Sequence, residues 1–151
     1  MRTSVRFLLG TVAIAVLAAC GSPTDSLAFK VPPGWTSKAQ MGLLQIWQGA
    51  NDKQILMLMK LPVAVDVSSA MNSANMKDAK VESQQDVTIC NGQKAQLISA
   101  TGQSKNETEQ DRIDMLMTAA GGNTYMAMYV RPVAAPTDAA AEASLRTVCL
   151  K

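Results

Sequence analysis

An α+β domain, with a mostly antiparallel sheet of about six or seven strands and two helices, is predicted by three features of the sequence. Short apolar runs alternate with Gly, Pro and Asn turn signals through most of the chain after residue 26. Asn91-Gly92 and Gly121-Gly122-Asn123 tolerate the positive φ that tight hairpins need. Two stretches, 66–77 and 138–149, place apolar residues at helical spacing.

The elements follow in order. Residues 27–31 can extend as a first strand, which Pro32-Pro33-Gly34-Trp35 stops because proline cannot continue a ladder. A second strand over 43–47 turns through 49–52 into a third over 54–61, ended by Pro62. Over 66–77, Val67, Ala70, Met71 and Ala74 recur on one stripe and Asp66 can cap the amino end, which predicts an amphipathic helix. Strands over 81–90 and 94–100 flank Asn91-Gly92, and polar residues 101–109 read as a loop. Strands over 112–119 and 124–131 flank the second glycine turn. In 138–149, Ala141, Leu145 and Val148 share a stripe behind Thr137 or Asp138 as cap, and this last helix carries Cys149 to the sheet.

Ahead of this domain the chain opens with Met-Arg-Thr-Ser-Val-Arg, an apolar run over 7–19, and Leu17-Ala18-Ala19-Cys20. A basic start, a short apolar core and small residues before a cut are the parts of an export signal. The apolar run is well short of the ~20 residues that span a bilayer. Leu17-Ala18-Ala19-Cys20 resembles the lipobox of bacterial lipoproteins. That resemblance implies that residues 1–19 are removed, that Cys20 carries diacylglycerol and an acyl chain such as palmitate, and that residues 20–26 tether a single domain, 27–151, to a membrane of the cell envelope. Two or more acyl chains hold durably where one binds marginally. Gly21, rather than Asp, is similar to lipoproteins passed on to an outer membrane. An ordinary secretory signal with an incidental cysteine is the competing reading.

Removal of the signal takes Arg2 and Arg6 from the 14 Lys plus Arg and leaves a formally neutral chain against 12 Asp plus Glu. No basic run remains to bind phosphates, so nucleic acid is not an expected partner. With Cys20 assigned to lipid, Cys90 and Cys149 form an even pair in an oxidising compartment, where a disulfide is expected over a metal or redox pair.

The element order, with Phe29-Lys30-Val31-Pro32-Pro33-Gly34-Trp35 at the start of the domain, resembles the PsbP-like superfamily, which includes the extrinsic PsbP subunit of photosystem II and envelope lipoproteins of the DcrB type. The resemblance implies a binding or assembly role and no shared catalytic residues.

The chain has no histidine, so Ser-His-Asp and Cys-His nucleophiles, His-based zinc sites and His general bases are all excluded. It has no Gly-rich phosphate loop and no Gly-x-Ser-x-Gly elbow. Asp111 with Asp114, and Glu107 with Glu109, read as solvated surface rather than acid–base pairs or a calcium loop. No enzyme, cofactor or resident metal is expected.

Methionine stands out, as Met57 and Met59, Met115 and Met117, and Met126 and Met128, each pair on one face of its strand. Such a face can be core, an apolar partner or ligand surface, or a soft-metal site, since thioethers suit Cu(I). Tyr125 and Tyr129 lie on the opposite face from Met126 and Met128. Whichever face the helices leave open is the better partner surface. The expected function is thus a non-catalytic envelope lipoprotein that binds or helps assemble another envelope component, with a Cu(I) or hydrophobic small-molecule binder as the alternative.

Overall fold

The computed structural model describes residues 26–51, 53–73 and 76–151. The predicted signal over 1–19, Cys20, Gly21, the tether up to residue 25, and residues 52, 74 and 75 of a predicted loop and helix lie outside the described residues.

Among the described residues, nine strands and two helices follow in order as β1 (Leu27–Ala28), β2 (Thr36–Met41), β3 (Leu44–Gln48), β4 (Ile55–Leu61), α1 (Val67–Ser73), β5 (Met76–Thr88), β6 (Lys94–Ser104), β7 (Asp111–Ala120), β8 (Asn123–Pro132), α2 (Ala139–Leu145) and β9 (Cys149–Leu150). A short 3-10 turn, Cys90–Gly92, joins β5 to β6. The main sheet has seven strands in the order β2-β3-β4-β8-β7-β6-β5, all antiparallel, and β1 pairs with β9 in a separate two-stranded ribbon. This is the predicted α+β architecture.

The expected hairpins form for the expected reason. Asn91 adopts φ 57° and Gly92 φ 72°, and Gly121 and Gly122 also sit at positive φ, where L side chains are rarely found. Several boundaries differ from the sequence reading. The strand predicted over 27–31 shrinks to β1 and joins β9 rather than the main sheet. A strand with no predicted counterpart, β2, follows the Pro-Pro-Gly-Trp turn. Its Thr-Ser-Lys-Ala-Gln-Met sequence shows no apolar alternation because both faces of this edge strand are largely exposed. The helix predicted over 66–77 ends at Ser73, and Met76 already belongs to β5, where it pairs with Ser104. β5 therefore starts five residues earlier than expected, again as a polar edge strand, and β6 runs through Ser104 into the expected loop. The last helix stops at Leu145, so Cys149 lies in β9.

The two faces of the sheet bury different chemistry. Leu56, Leu58, Leu116, Tyr125, Ala127 and Tyr129 face α2 and the β1–β9 ribbon, packing with Leu27, Ala141, Leu145 and Val148. Met115, Met117, Met126, Met128, Ile98 and Ile113 face α1, packing with Ala70 and Met71. We call these the tyrosine face and the methionine face. Each large apolar side chain buried this way contributes about 1.5–3 kcal/mol.

Caps fix both helices. Asp66 Oδ1 accepts from the Ser69 N–H at 2.7 Å, and Asp138 Oδ1 accepts from the N–H groups of Ala140 and Ala141 at 2.9 and 3.2 Å. The β1–β9 ribbon has only two pairs, and a Cys90–Cys149 disulfide ties it to the β5–β6 turn, with Cα atoms 5.4 Å apart across a sequence separation of 59. Such a link removes loop freedom from the unfolded chain. Replacing both Cys90 and Cys149 by Ala is expected to cost about 2–5 kcal/mol, read as a lower urea midpoint with a steeper slope, because the unlinked unfolded chain exposes more surface.

Candidate functional site

The methionine face is where the covering of the sheet is incomplete. Register places Met57 opposite Met128 and Met128 opposite Met115, with Met59, Met126 and Met117 in the next row. The three strands predicted to carry methionine pairs are therefore neighbours, and their six thioethers share one face. Met115, Met117, Met126 and Met128 are buried, whereas Met57 and Met59 remain half-buried at the margin of that cluster.

The cause is the length and position of α1. Seven residues make about two turns, and the helix packs against β5 at the far side of the sheet. Along β4 the tyrosine-face residues Leu56 and Leu58 are fully buried while Ile55, Met57, Met59 and Leu61 on the other face keep partial exposure. The half-covered surface continues through Leu44 and Ile46 of β3 to Ala39 and Met41 of β2 by register. It is apolar, and its most flexible side chains are thioethers, which adapt to irregular partners.

The tyrosine face is closed over β4, β7 and β8. Trp35 and Tyr129 meet edge to face with centroids 6.1 Å apart, and Phe29 lies 5.5 Å from Trp47. The Tyr129 hydroxyl donates to Gln54 Oε1 at 3.1 Å and accepts from the Asp138 N–H at 2.9 Å. Burial, above all, pushes its phenol pKa up. Trp35 Nε1 donates to Asp138 Oδ2 at 3.1 Å. The aromatic groups thus hold the domain together, and the methionine face is the one left open.

Two cavities flank this surface. One of about 500 Å³ is lined by Val65, Asp86, Lys94, Gln96, Met117 and Thr124. A second, of about 440 Å³, lies among Lys53, Ser104, Glu107, Glu109 and Asp111. Asp111 and Asp114, which the sequence places on the surface, are buried in the structure. They face opposite sides of the sheet, so they make no acid–base pair. Ser99 Oγ donates to Asp114 Oδ1, and Ser104 Oγ donates to Asp111 Oδ2 at 3.1 Å. Strand alternation hid this burial, because each carboxylate is accommodated by a serine on the neighbouring strand. Among the described residues, no group of three or more His, Cys, Asp or Glu converges as a metal site.

Burial is the main influence raising the Asp111 pKa, and the charges of Glu107 and Glu109 add to it against the Ser104 hydrogen bond and Lys53. The folded chain therefore holds this proton more tightly than the unfolded one. Stability falls as pH rises from the ordinary carboxylate value through the raised one. Asp111→Asn is expected to stabilise the domain at neutral pH and to match wild type in acid, where Asp111 is protonated in both states, as measured by urea melts from about pH 3 to about pH 8.

Truncation separates packing from surface among the methionines. Met128→Ala is expected to cost about 2–5 kcal/mol and Met128→Leu under about 1.5 kcal/mol, with Met57→Ala costing clearly less than Met128→Ala in the same denaturation assay.

No protein-family model matches the chain, and no curated protein matches it significantly. Among solved structures, the chain is similar to cyanobacterial PsbP (CyanoP) from Synechocystis sp. PCC 6803, with TM-score 0.49 and 10% identity over 73% of this chain and 76% of that one. It is also similar to PA94 from Pseudomonas aeruginosa, a protein of unknown function, with TM-score 0.47 and 11% identity over 66% of this chain and 84% of that one.

Proposed function

We propose that this chain is a lipid-anchored protein of the cell envelope that acts by binding or assembling another envelope component rather than by catalysis. Its contact surface is the half-covered methionine face over β2, β3 and β4. The observation that carries the reading is the contrast along β4, where Leu56 and Leu58 are fully buried while Met57 and Met59 stay partly open. A partner seated there would cover apolar area that α1 is too short to reach.

The anchor rests on the lipobox at Leu17-Ala18-Ala19-Cys20. Among the described residues no helix is long and apolar enough to cross a membrane. An outer membrane is favoured by Gly21. The alternative of Cu(I) binding draws on the rows of thioethers. It would require Met57 or Met59 to be joined by sulfur atoms that are buried in the core.

Two measurements test the reading together. Wild type should incorporate labelled palmitate and Cys20→Ala should not. A photocrosslinking residue at position 57 or 59 should give a discrete adduct in intact cells, lost when the other methionine becomes Lys. The same probe at Val81, exposed on β5, should give none. Absence of label in wild type, or equal adducts from 59 and 81, would overturn the proposal.

A further inference from the structure

The placement of the chain's first described residue, together with the exposed apolar side chains, points to an orientation. The hairpins β2–β3, β5–β6 and β7–β8 turn at one end of the sheet, where β4 also finishes. The β3–β4 and β6–β7 connections and the approach to α2 lie at the other end. The chain enters at the first of these ends. Ala28 pairs with Cys149, which is bonded to Cys90 in the β5–β6 turn, and the Ser26 carbonyl accepts from the Lys151 N–H at 3.0 Å. From there the chain crosses the tyrosine face past Trp47 to Trp35, whose ring lies 3.1 Å from a Cβ placed on Gly49 in the β3–β4 loop at the opposite end.

Exposed apolar side chains are distributed in the same sense. Met41 and Leu43 in the β2–β3 turn are 62% and 36% exposed, and Val63, just past β4, is 53% exposed. Pro62 and Ala64 beside it are exposed too. Lys60, Lys94 and Lys151 at this end are accompanied by Asp66 and Asp86, so charges of both signs are mixed there with the exposed apolar side chains. The remaining exposed large apolar side chains among the described residues are elsewhere, Val81 on β5 and Val133 at the opposite end.

We propose that this turn end docks on a lipid surface, with Met41, Leu43 and Val63 inserted at the boundary between headgroups and acyl chains. The proposal rests on the lipid reading of Cys20. Cys20 precedes Ser26 by six residues, which extend to about 20 Å at most. A tether this short keeps the turn end within about 20 Å of the membrane that holds the lipid, so the exposed side chains meet the bilayer at high local concentration. The strands then stand upright on the membrane, and the methionine face points sideways along the envelope.

The test uses the full lipoprotein purified from bacterial membranes and reconstituted into phosphatidylcholine vesicles, with and without bromine on the acyl chains. Leu43→Trp and Val63→Trp report on the turn end and Val133→Trp on the opposite end, over the background of Trp35 and Trp47 common to all. The expected result is co-flotation of every variant, with bromine removing most of the added emission at 43 and 63 and leaving that at 133 unchanged. Either turn-end variant suffices if the other fails to fold. Co-flotation with 43 and 63 unquenched, or with 133 quenched equally, would overturn the docking while leaving the anchor intact. Failure to float would overturn the anchor and the docking together.

Discussion

The Tyr129 hydroxyl sits at the centre of the fold's constraints. It lies on the middle strand of the sheet, with its ring fully buried, and a buried hydroxyl without partners costs about 1–3 kcal/mol. Its partners are drawn from distant parts of the chain, Gln54 before β4 and the backbone of Asp138 at the start of α2. Gln54 in turn donates to the Pro136 carbonyl, and Asp138 accepts from Trp35 while capping the helix. Satisfying one oxygen therefore fixes the β3–β4 loop, the approach to α2 and the turn that follows β1. The Pro-Pro-Gly-Trp segment has its physical role here. The Trp35 N–H donates to the Pro32 carbonyl at 3.3 Å, and the turn, with Gly34 at φ 82°, delivers the indole to Asp138.

This knot also explains why the sheet is closed on one side and not on the other. With α2, β1 and β9 all committed to the tyrosine face, the methionine face is left with α1 and its flanking segment among the described helices and ribbons. Seven helical residues cannot cover seven strands. The core on that side thins from β7 and β8 outwards to β4 and β3, and the thinning follows from how the chain's apolar mass is shared between the two layers.

Much of this was legible where the sequence pattern coincides with a physical demand. Asn91-Gly92 and Gly121-Gly122 announce their hairpins because a tight turn requires positive φ. Alternation placed the methionines and tyrosines of β8 on opposite faces because strand geometry allows nothing else. The pairing of Cys90 with Cys149 followed from parity once Cys20 was assigned to lipid. What escaped has its own reason. β2 and the first part of β5 are edge strands exposed on both faces, so no hydrophobic period marks them. Asp111 and Asp114 looked like surface because their burial depends on Ser104 and Ser99 across the ladder. The helix over 66–77 looked longer because Ala74 continues the stripe, yet Met76 is claimed by its pairing with Ser104. The open stretch of the methionine face could not be read at all, since it depends on which strands α1 covers.

The division of chemistry along β8 bears on the proposed role. Tyrosine brings a hydroxyl that must find fixed partners when buried, so a face built on Tyr125 and Tyr129 tends towards one rigid arrangement. Methionine brings volume, three rotatable bonds and no strong hydrogen-bonding group. A methionine surface left partly open at Met57 and Met59 incurs no unsatisfied polar cost, and it can reshape against an apolar partner without disturbing the knot on the opposite side. Rigidity on one face and adaptability on the other are thus set by the same strand. The proposed role, a tethered protein that holds its fold while accommodating another component, would draw on both properties within one small domain.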